Sequence, residues 1–360
     1  MKKVVTILGA RPQFVKAAVL SRIIFEYSEI EEVIVHTGQH YDANMSAVFF
    51  DEMGIPNPKY NLNINELSHG AMTGHMFEQI ERVLKIEKPD GVVVYGDTNS
   101  TLAGALASKK MDIKVIHIEA GLRSFNMKMP EEINRVLTDR IADLLICPTD
   151  IAVKNLRNEG FDNFDSKIVK CGDIMKDAVE FYSKISEQKS SIINDLKLKN
   201  NQFVLATIHR QENTNDLDKL RTIFECLETI HNKKKVVIPL HPRTRKKLAD
   251  HDLDYNITMI NPVGYFDMLE LLKSCAMVIT DSGGLQKEAY FNQKHCLIVR
   301  EETEWVELVE NNFATIVGID KERMIKAFSN VENKNTNYSL NLYGSSVGEK
   351  IYKELLSILN

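Results

Sequence analysis

Short apolar runs alternate with stretches of helical period through most of the chain. Val4–Leu8, Glu32–Thr37, Gly91–Tyr95, Lys114–Ile118, Leu144–Cys147 and Lys167–Lys170 read as strands. After a break, so do Phe203–Thr207, Lys235–Leu240, Ile257–Ile260, Met277–Thr280 and Cys296–Val299. Several, such as the run through Val92-Val93-Val94, are apolar at every position, the pattern of strands covered on both faces. Strands that alternate with helices make βαβ units and a parallel sheet. The break falls between about Asp177 and Asn201 and is polar at Lys184–Ser191 and Lys197–Asn201. Two strand series of similar length on either side of it predict two doubly wound α/β domains facing each other across a central cleft. Val347, Ile351, Leu355 and Leu359 form an i, i+4 stripe, so the last segment reads as an amphipathic helix.

Composition narrows the class. With 44% hydrophobic and 26% charged residues over 360 positions, the chain has the make-up of a globular protein large enough for two cores. A net charge of −5 provides no positive field for a polyanion, so nucleic-acid binding is not expected. No run approaches the ~20 apolar residues of a membrane span, and Val4–Leu8 is too short for a signal-peptide core. Five cysteines without a CxxC pair suit neither a disulfide framework nor a zinc site. They read as buried free thiols in a reducing cytoplasm. No metal site and no cofactor are expected: GxGxxG does not follow the first strand, and GxxxxGK[ST] does not occur.

In an open parallel sheet, ligands bind beyond the carboxyl ends of the strands. There the first half places Arg11 and Lys16, then Gln39 and His40, then Asp97, then Glu119 and Arg123. The second half places His209 and Arg210, then His241, then Asp281-Ser282-Gly283-Gly284, then Arg300. Any one of these reads equally as a turn or a cap; their convergence from both halves is what points to a site. Ser282, Gly283 and Gly284 open a helix whose free N–H groups suit a phosphate, and Glu288, a turn further on, suits a ribose hydroxyl. Arg11, on the turn itself, suits a diphosphate. Lys16, read alone, is a surface helix lysine. Asp97, Glu119 and Glu131 form a carboxylate set fit for acid–base work. Glu131 and Glu132 are also what helix physics favours in a first turn, just after Pro130. His209 and His241 sit at equivalent strand ends, as phosphate partners or proton carriers.

Taken together, the motifs resemble a known family. They are Gly9-Ala10-Arg11-Pro12, Thr37-Gly38-Gln39-His40, Gly96-Asp97-Thr98, Glu119-Ala120-Gly121-Leu122-Arg123, Pro130-Glu131-Glu132 with Asn134-Arg135, His209-Arg210 with Glu212-Asn213, and Asp281-Ser282-Gly283-Gly284 with Gln286 and Glu288. In this order they resemble the non-hydrolysing UDP-N-acetylglucosamine 2-epimerases. The resemblance implies a GT-B-type fold of two Rossmann-like domains, 1–172 for the sugar and 173–344 for UDP, with a helix at 345–360 packing back toward the first domain. It also implies a cytoplasmic homodimer that needs no redox cofactor and makes precursors of bacterial or archaeal surface polysaccharides. Asp97, Glu119, Glu131 and His209 would be catalytic. Arg11, Lys16, Gln39, His40, Arg135, Arg210, His241, Ser282, Gly283, Gly284, Glu288 and Arg300 would hold the UDP-sugar. A GT-B glycosyltransferase, a hydrolysing epimerase and a nucleotide-sugar binder without activity remain alternatives.

Three departures from the common family form bear on the substrate. Trp305 and Val306 stand where the usual TERPE has a cation and a proline. The loop Ser124–Met129 is shortened. Tyr41–Ser46 lacks the residues that substrate-activated members carry. These resemble the branch acting on UDP-2,3-diacetamido-2,3-dideoxyglucuronate, in which Arg123 or Lys128 would meet the C6 carboxylate and kinetics would be hyperbolic; read instead as loop drift and a packed tryptophan, they leave UDP-N-acetylglucosamine itself as the other substrate.

Overall fold

Apolar runs this continuous demand cover on both sides, and helices provide it. The computed structural model describes residues 1–39, 53–332 and 336–360, apart from the side chain of Arg11. They form two compact units, Met1–Ala178 with Leu342–Asn360, and Val179–Asn341. Both are Rossmann-like α/β domains.

The first unit holds β1 (Lys2–Leu8), β2 (Ile30–His36), β3 (Tyr60–Asn61), β4 (Gly91–Tyr95), β5 (Lys114–Ile118), β6 (Leu144–Cys147) and β7 (Lys167–Lys170). They pair in parallel in the order β3-β2-β1-β4-β5-β6-β7. The second unit holds β8 (Phe203–Thr207), β9 (Lys235–Pro239), β10 (Thr258–Ile260), β11 (Met277–Thr280), β12 (His295–Ile298) and β13 (Ala314–Ile316). Its order is β10-β9-β8-β11-β12-β13, again parallel. The sequence pattern misses β3 and β13. Each is an edge strand of two or three residues, too short to show a periodicity, and exists because a longer neighbour offers it a ladder.

Strand order reverses between β1 and β4 in the first sheet and between β8 and β11 in the second. A crevice opens beyond the strand ends at such a switch point. The switch points fall at Gly9 and Gly96 in one unit, and at Ile208 and Asp281 in the other. In the first unit, helix Val347–Leu359 packs against helix Arg11–Tyr27, with Val347, Ile351, Tyr352 and Leu355 buried. Tyr27 and Tyr352 stack there at 5.0 Å.

Away from the switch point, helix His69–Glu87 ends on a buried carboxylate. Glu87 meets Lys59 at 2.7 Å and Lys3 at 3.3 Å, and the Tyr60 hydroxyl donates to it. These partners, Lys59 and Tyr60 foremost, pull its pKa from the ordinary 4.5 to about 2. The folded form is the stronger acid, so the stabilisation is fully present above pH 4.5 and vanishes as pH falls through about 2. Glu87→Gln should therefore cost about 1–2 kcal/mol at pH 7, a figure reduced for the exposure of Lys59. Urea melts from pH 7 to pH 2 should show the two proteins converging at the acid end; a gap unchanged with pH would refute the linkage.

Candidate active site

At the first switch point the chain turns from β1 into helix Arg11–Tyr27, so Arg11, read from the sequence as part of the turn, is the first residue of the helix. Gly9 is required there, because a Cβ would lie 2.0 Å from Ser100 Oγ and 2.3 Å from Thr37 Oγ1. Gln13 fastens this turn to the next. Its Oε1 accepts from the N–H groups of Gly9 and Ala10 at 2.8 and 3.0 Å. Its Nε2 donates to the Tyr95 carbonyl at 2.8 Å and to Thr98 Oγ1 at 3.0 Å. Gln39 Oε1 accepts from Ser100 Oγ at 2.7 Å and Ser100 N at 3.1 Å.

Lys16 is not a surface lysine. It is buried and ion-paired with Glu119 at the end of β5. A side chain at Gly96 would come within 3.3 Å of Glu119 Oε2 and 3.8 Å of Lys16 Nζ, so the pair lies directly against the Asp97 turn. Glu119 has φ 74°, a left-handed conformation that a side chain tolerates only where its surroundings enforce it. Asp97 is about one-third exposed and pairs with buried Arg135. Its carbonyl accepts from Asn134 Nδ2 at 2.9 Å.

Glu131 and Glu132 part company. Glu131 is exposed in the first turn of helix Pro130–Ile141, and no hydrogen bond among the described residues joins it to Asp97 or Glu119. Glu132 is buried. It accepts from Ser124 N and Phe125 N at 2.9 Å each, and pairs with Arg135 Nη1 at 2.6 Å. One carboxylate thus pins the start of the Ser124–Met129 loop, and Arg135 joins it to Asp97.

Behind these turns lies a fully buried pair. His117 Nδ1 is 2.7 Å from Asp139 Oδ1, and His117 Nε2 is 2.7 Å from the Gly96 carbonyl. Asp139 Oδ2 accepts from Gly121 N at 3.0 Å and Arg123 Nη1 at 2.7 Å. Burial pushes the Asp139 carboxyl up in pKa, but His117 and Arg123 outweigh it and hold it below the usual range. Gly121, at φ 79°, tolerates no Cβ, which would stand 2.5 Å from the Ala152 carbonyl oxygen.

In the second unit, Thr207 and Thr280 face each other across the switch point at 2.6 Å. Asp281 follows, entirely buried, and it is not the helix cap. Its carboxylate accepts from His209 N, Arg210 N and Asn213 Nδ2 at 3.0–3.2 Å, so it builds the loop after β8. Ser282 occupies the N-cap of helix Gly283–Phe291 without a side-chain cap bond. Gly284 leaves open space at that helix start, and Glu288 sits half-buried a turn on. His209 is half-exposed. His241 caps helix Pro242–Asp250, its Nδ1 accepting from Arg243 N at 3.3 Å. Partial burial, then His209 and Arg243, lower its pKa, which suits a neutral ring with Nδ1 as acceptor. Arg300 is held by Glu304 through two bonds of 2.9 and 3.0 Å, beside Gly283.

Two sheets thus present polar groups at their switch points, one carrying carboxylates with a buried lysine, the other a helix start with histidines and arginines. The model of the UDP-N-acetylglucosamine 2-epimerase family matches residues 23–355. The chain belongs to this family. It is 48% identical to the UDP-2,3-diacetamido-2,3-dideoxy-D-glucuronate 2-epimerase of Pseudomonas aeruginosa, over 99% of this chain and 100% of that one. It is 42% identical to the UDP-N-acetylglucosamine 2-epimerase of Methanocaldococcus jannaschii, over 98% of each. A crystal structure of that organism's enzyme in complex with UDP-GlcNAc and UDP superposes with a TM-score of 0.91, at 41% identity and 99% coverage of both chains. This chain is accordingly an isomerase, a 2-epimerase of the GT-B-type fold.

Some expectations for this epimerase change on the structure. Arg123 cannot serve a substrate carboxylate, because Asp139 and Glu159 already occupy its guanidinium at 2.6–2.8 Å and bury it. Trp305 does not leave its region without a cation: it is buried, with Lys287 Nζ 3.8 Å from the ring centroid. His40, the Tyr41–Ser46 stretch and the Arg11 side chain lie outside the described residues. Sequence reasoning does not single out Gln13, His117 or Asp139, and it reads Glu132 only as a first-turn acid. One signal pointed to two of them: a histidine next to the end of the apolar strand Lys114–Ile118, His117, demands a buried partner, and Asp139 is that partner.

Proposed function

We propose that this epimerase inverts C2 of a UDP-N-acetylhexosamine by eliminating UDP and adding it back, with UDP-2,3-diacetamido-2,3-dideoxyglucuronate as substrate. The observation that carries the chemistry is the Lys16–Glu119 pair set against the Asp97 turn. The C2 hydrogen of such a sugar is not next to a carbonyl, so direct deprotonation has a prohibitive barrier. Cleavage of C1–O, with its electron pair leaving on UDP, gives C1 oxocarbenium character and acidifies C2–H. A carboxylate takes that proton and C1=C2 forms, leaving a 2-acetamidoglycal and UDP. Proton delivery to the opposite face of C2 and return of the diphosphate oxygen to C1 give the epimer.

Asp97, Glu119 and Glu131 are the proton carriers in this reading. Arg11, His209, Ser282 and Gly283 take the diphosphate charge, Glu288 takes a ribose hydroxyl, and Gln39, His40, Arg210, His241 and Gly284 complete the substrate contacts; Lys16, Arg135 and Arg300 reach the substrate only by sharing the carboxylates that hold them, Glu119, Asp97 with Glu132, and Glu304. The relative at 48% identity supports the diacetamido sugar. With Arg123 taken, Lys128 is the cation that the pinned Ser124–Met129 loop offers a C6 carboxylate. Exposed Phe125, Met127, Ile133 and Leu137 on the first unit support a homodimer, and five free, buried cysteines support a cytoplasmic setting.

Proton NMR in deuterated water, with each UDP-sugar alone and no acceptor, tests the whole reading. We expect deuterium at C2 of the epimer, faster initial rates on the diacetamido-glucuronate, and a hyperbolic rate curve. Release of free sugar with UDP would favour a hydrolysing epimerase; turnover only with an acceptor would favour a transferase. Preference for UDP-N-acetylglucosamine with sigmoidal kinetics would overturn the substrate assignment.

A further inference from the structure

We infer that His117 and Asp139 are a positioning pair, holding the Gly96–Asp97 turn and the Glu119–Gly121 turn at a fixed separation through hydrogen bonds to both. The inference rests on reading Asp97 and Glu119 as proton carriers.

Each of the two turns is short and carries one carboxylate. His117 projects from β5 and reaches the peptide just before Asp97: a carbonyl oxygen only accepts, so Nε2 carries the hydrogen that Gly96 receives at 2.7 Å. Asp139, 22 residues away on helix Pro130–Ile141, takes the other ring nitrogen on one oxygen. Its second oxygen receives the N–H of Gly121, two residues beyond Glu119. The path from Gly96 through His117 and Asp139 to Gly121 is therefore a side-chain brace with no solvent-exposed member. Arg123 and Glu159 close its far end.

Glu119 is where the brace matters most. Its left-handed backbone relaxes unless neighbours over-determine it. The N–H groups of Glu119 and Ala120 already reach the Ile146 carbonyl at 3.1 and 3.0 Å. Gly121 is fixed by Asp139 on one side and by Asn155, whose Nδ2 donates to its carbonyl at 3.0 Å, on the other. Without Asp139 the N-terminal side of that clamp opens, and the Glu119 backbone can shift and carry its carboxylate, still paired with Lys16, out of register with the Asp97 turn. Catalytic geometry is intolerant of such shifts, since a displacement of about 1 Å can cost ~10²-fold in rate.

The test uses the full chain carrying Asp139→Ala, Asp139→Asn, His117→Phe or His117→Gln. The concentration of folded sites in each preparation is counted by calorimetric titration with UDP. The positioning role expects kcat per folded site to fall ~10²-fold in Asp139→Ala and His117→Phe, with KM within about threefold of wild type. Asp139→Asn should recover to within about tenfold of wild type. Its carboxamide can donate to His117 Nδ1 and still accept from Gly121, leaving Nε2–H on Gly96. His117→Gln retains a donor for Gly96 and stands in if the phenylalanine variant does not fold; it should fall between the two extremes. A merely structural role would lower the melting temperature and the folded fraction but leave kcat per folded site unchanged, and that result overturns the inference. Asp139→Asn as inactive as Asp139→Ala would overturn it too. Asp97→Asn and Glu119→Gln run in parallel: wild-type rates there indict the reading of the carboxylates, whereas loss there with normal His117 and Asp139 variants indicts the brace alone.

Discussion

Glu119→Gln is expected to lower epimerisation by about 10²–10⁴-fold while UDP still binds, the range typical of losing a positioned proton carrier. The substitution keeps the shape and removes only the ability to take or give a proton at that carboxyl. Lys16 loses its charged partner, so a buried ammonium is left beside the site, and the loss should lie toward the upper end. Asp97→Asn should fall in the same range. Glu131→Gln tests a different situation, because Glu131 is exposed and has no bond to the other two carboxylates among the described residues. A rate loss there would mean that it engages the sugar directly. Initial rates beside UDP calorimetry decide the matter, and near-normal rates in all three variants would remove the acid–base assignment.

Asp281→Ala should cost about 3–5 kcal/mol in stability and weaken UDP binding at least tenfold. The carboxylate is wholly buried and accepts from two backbone N–H groups and one carboxamide. Hydrogen bonds to a charged acceptor are the strong kind, and its removal leaves the buried Asn213 carboxamide and two backbone N–H groups of a part-buried turn without their acceptor. The same bonds shape the loop that carries His209 and Arg210, so their positions loosen together. Asp281→Asn should be milder in stability, since the amide oxygen keeps some of these bonds. Denaturant melts and calorimetry with UDP measure the two effects. A stable Asp281→Ala protein with unchanged UDP affinity would show that the loop after β8 does not depend on this carboxylate.

Most of the fold is legible because its strands are continuous apolar runs, each followed by a polar turn. β3 and β13 escape because two or three residues show no period. The positions of the candidate site are legible where polar residues sit on strand ends, as at Asp97, Glu119, His209 and Ser282; their roles stay as proposed above. The site is not legible where a residue's meaning depends on a partner far along the chain. Lys16 is an ordinary helix lysine until β5 brings Glu119, 103 residues later, to its ammonium. Asp281 is an ordinary cap until its acceptors turn out to serve a loop some 70 residues earlier. Glu132 hides in a first turn where helix electrostatics alone would place an acid.

The first unit is assembled from two separated stretches of chain, and this has a consequence during synthesis. A ribosome adding roughly 5–20 residues per second needs about 10–35 s to make residues 179–360 after Ala178. For that interval helix Arg11–Tyr27 stands without helix Val347–Leu359, and its side chains Val19 and Ile23, which later lie against Gly348, face water. The nascent protein therefore carries an open apolar seam on the first unit until helix Val347–Leu359 has been made. Expression yield should respond to changes in that seam, such as Ile23→Glu, more than to changes in the turns that carry Asp97 and Glu119.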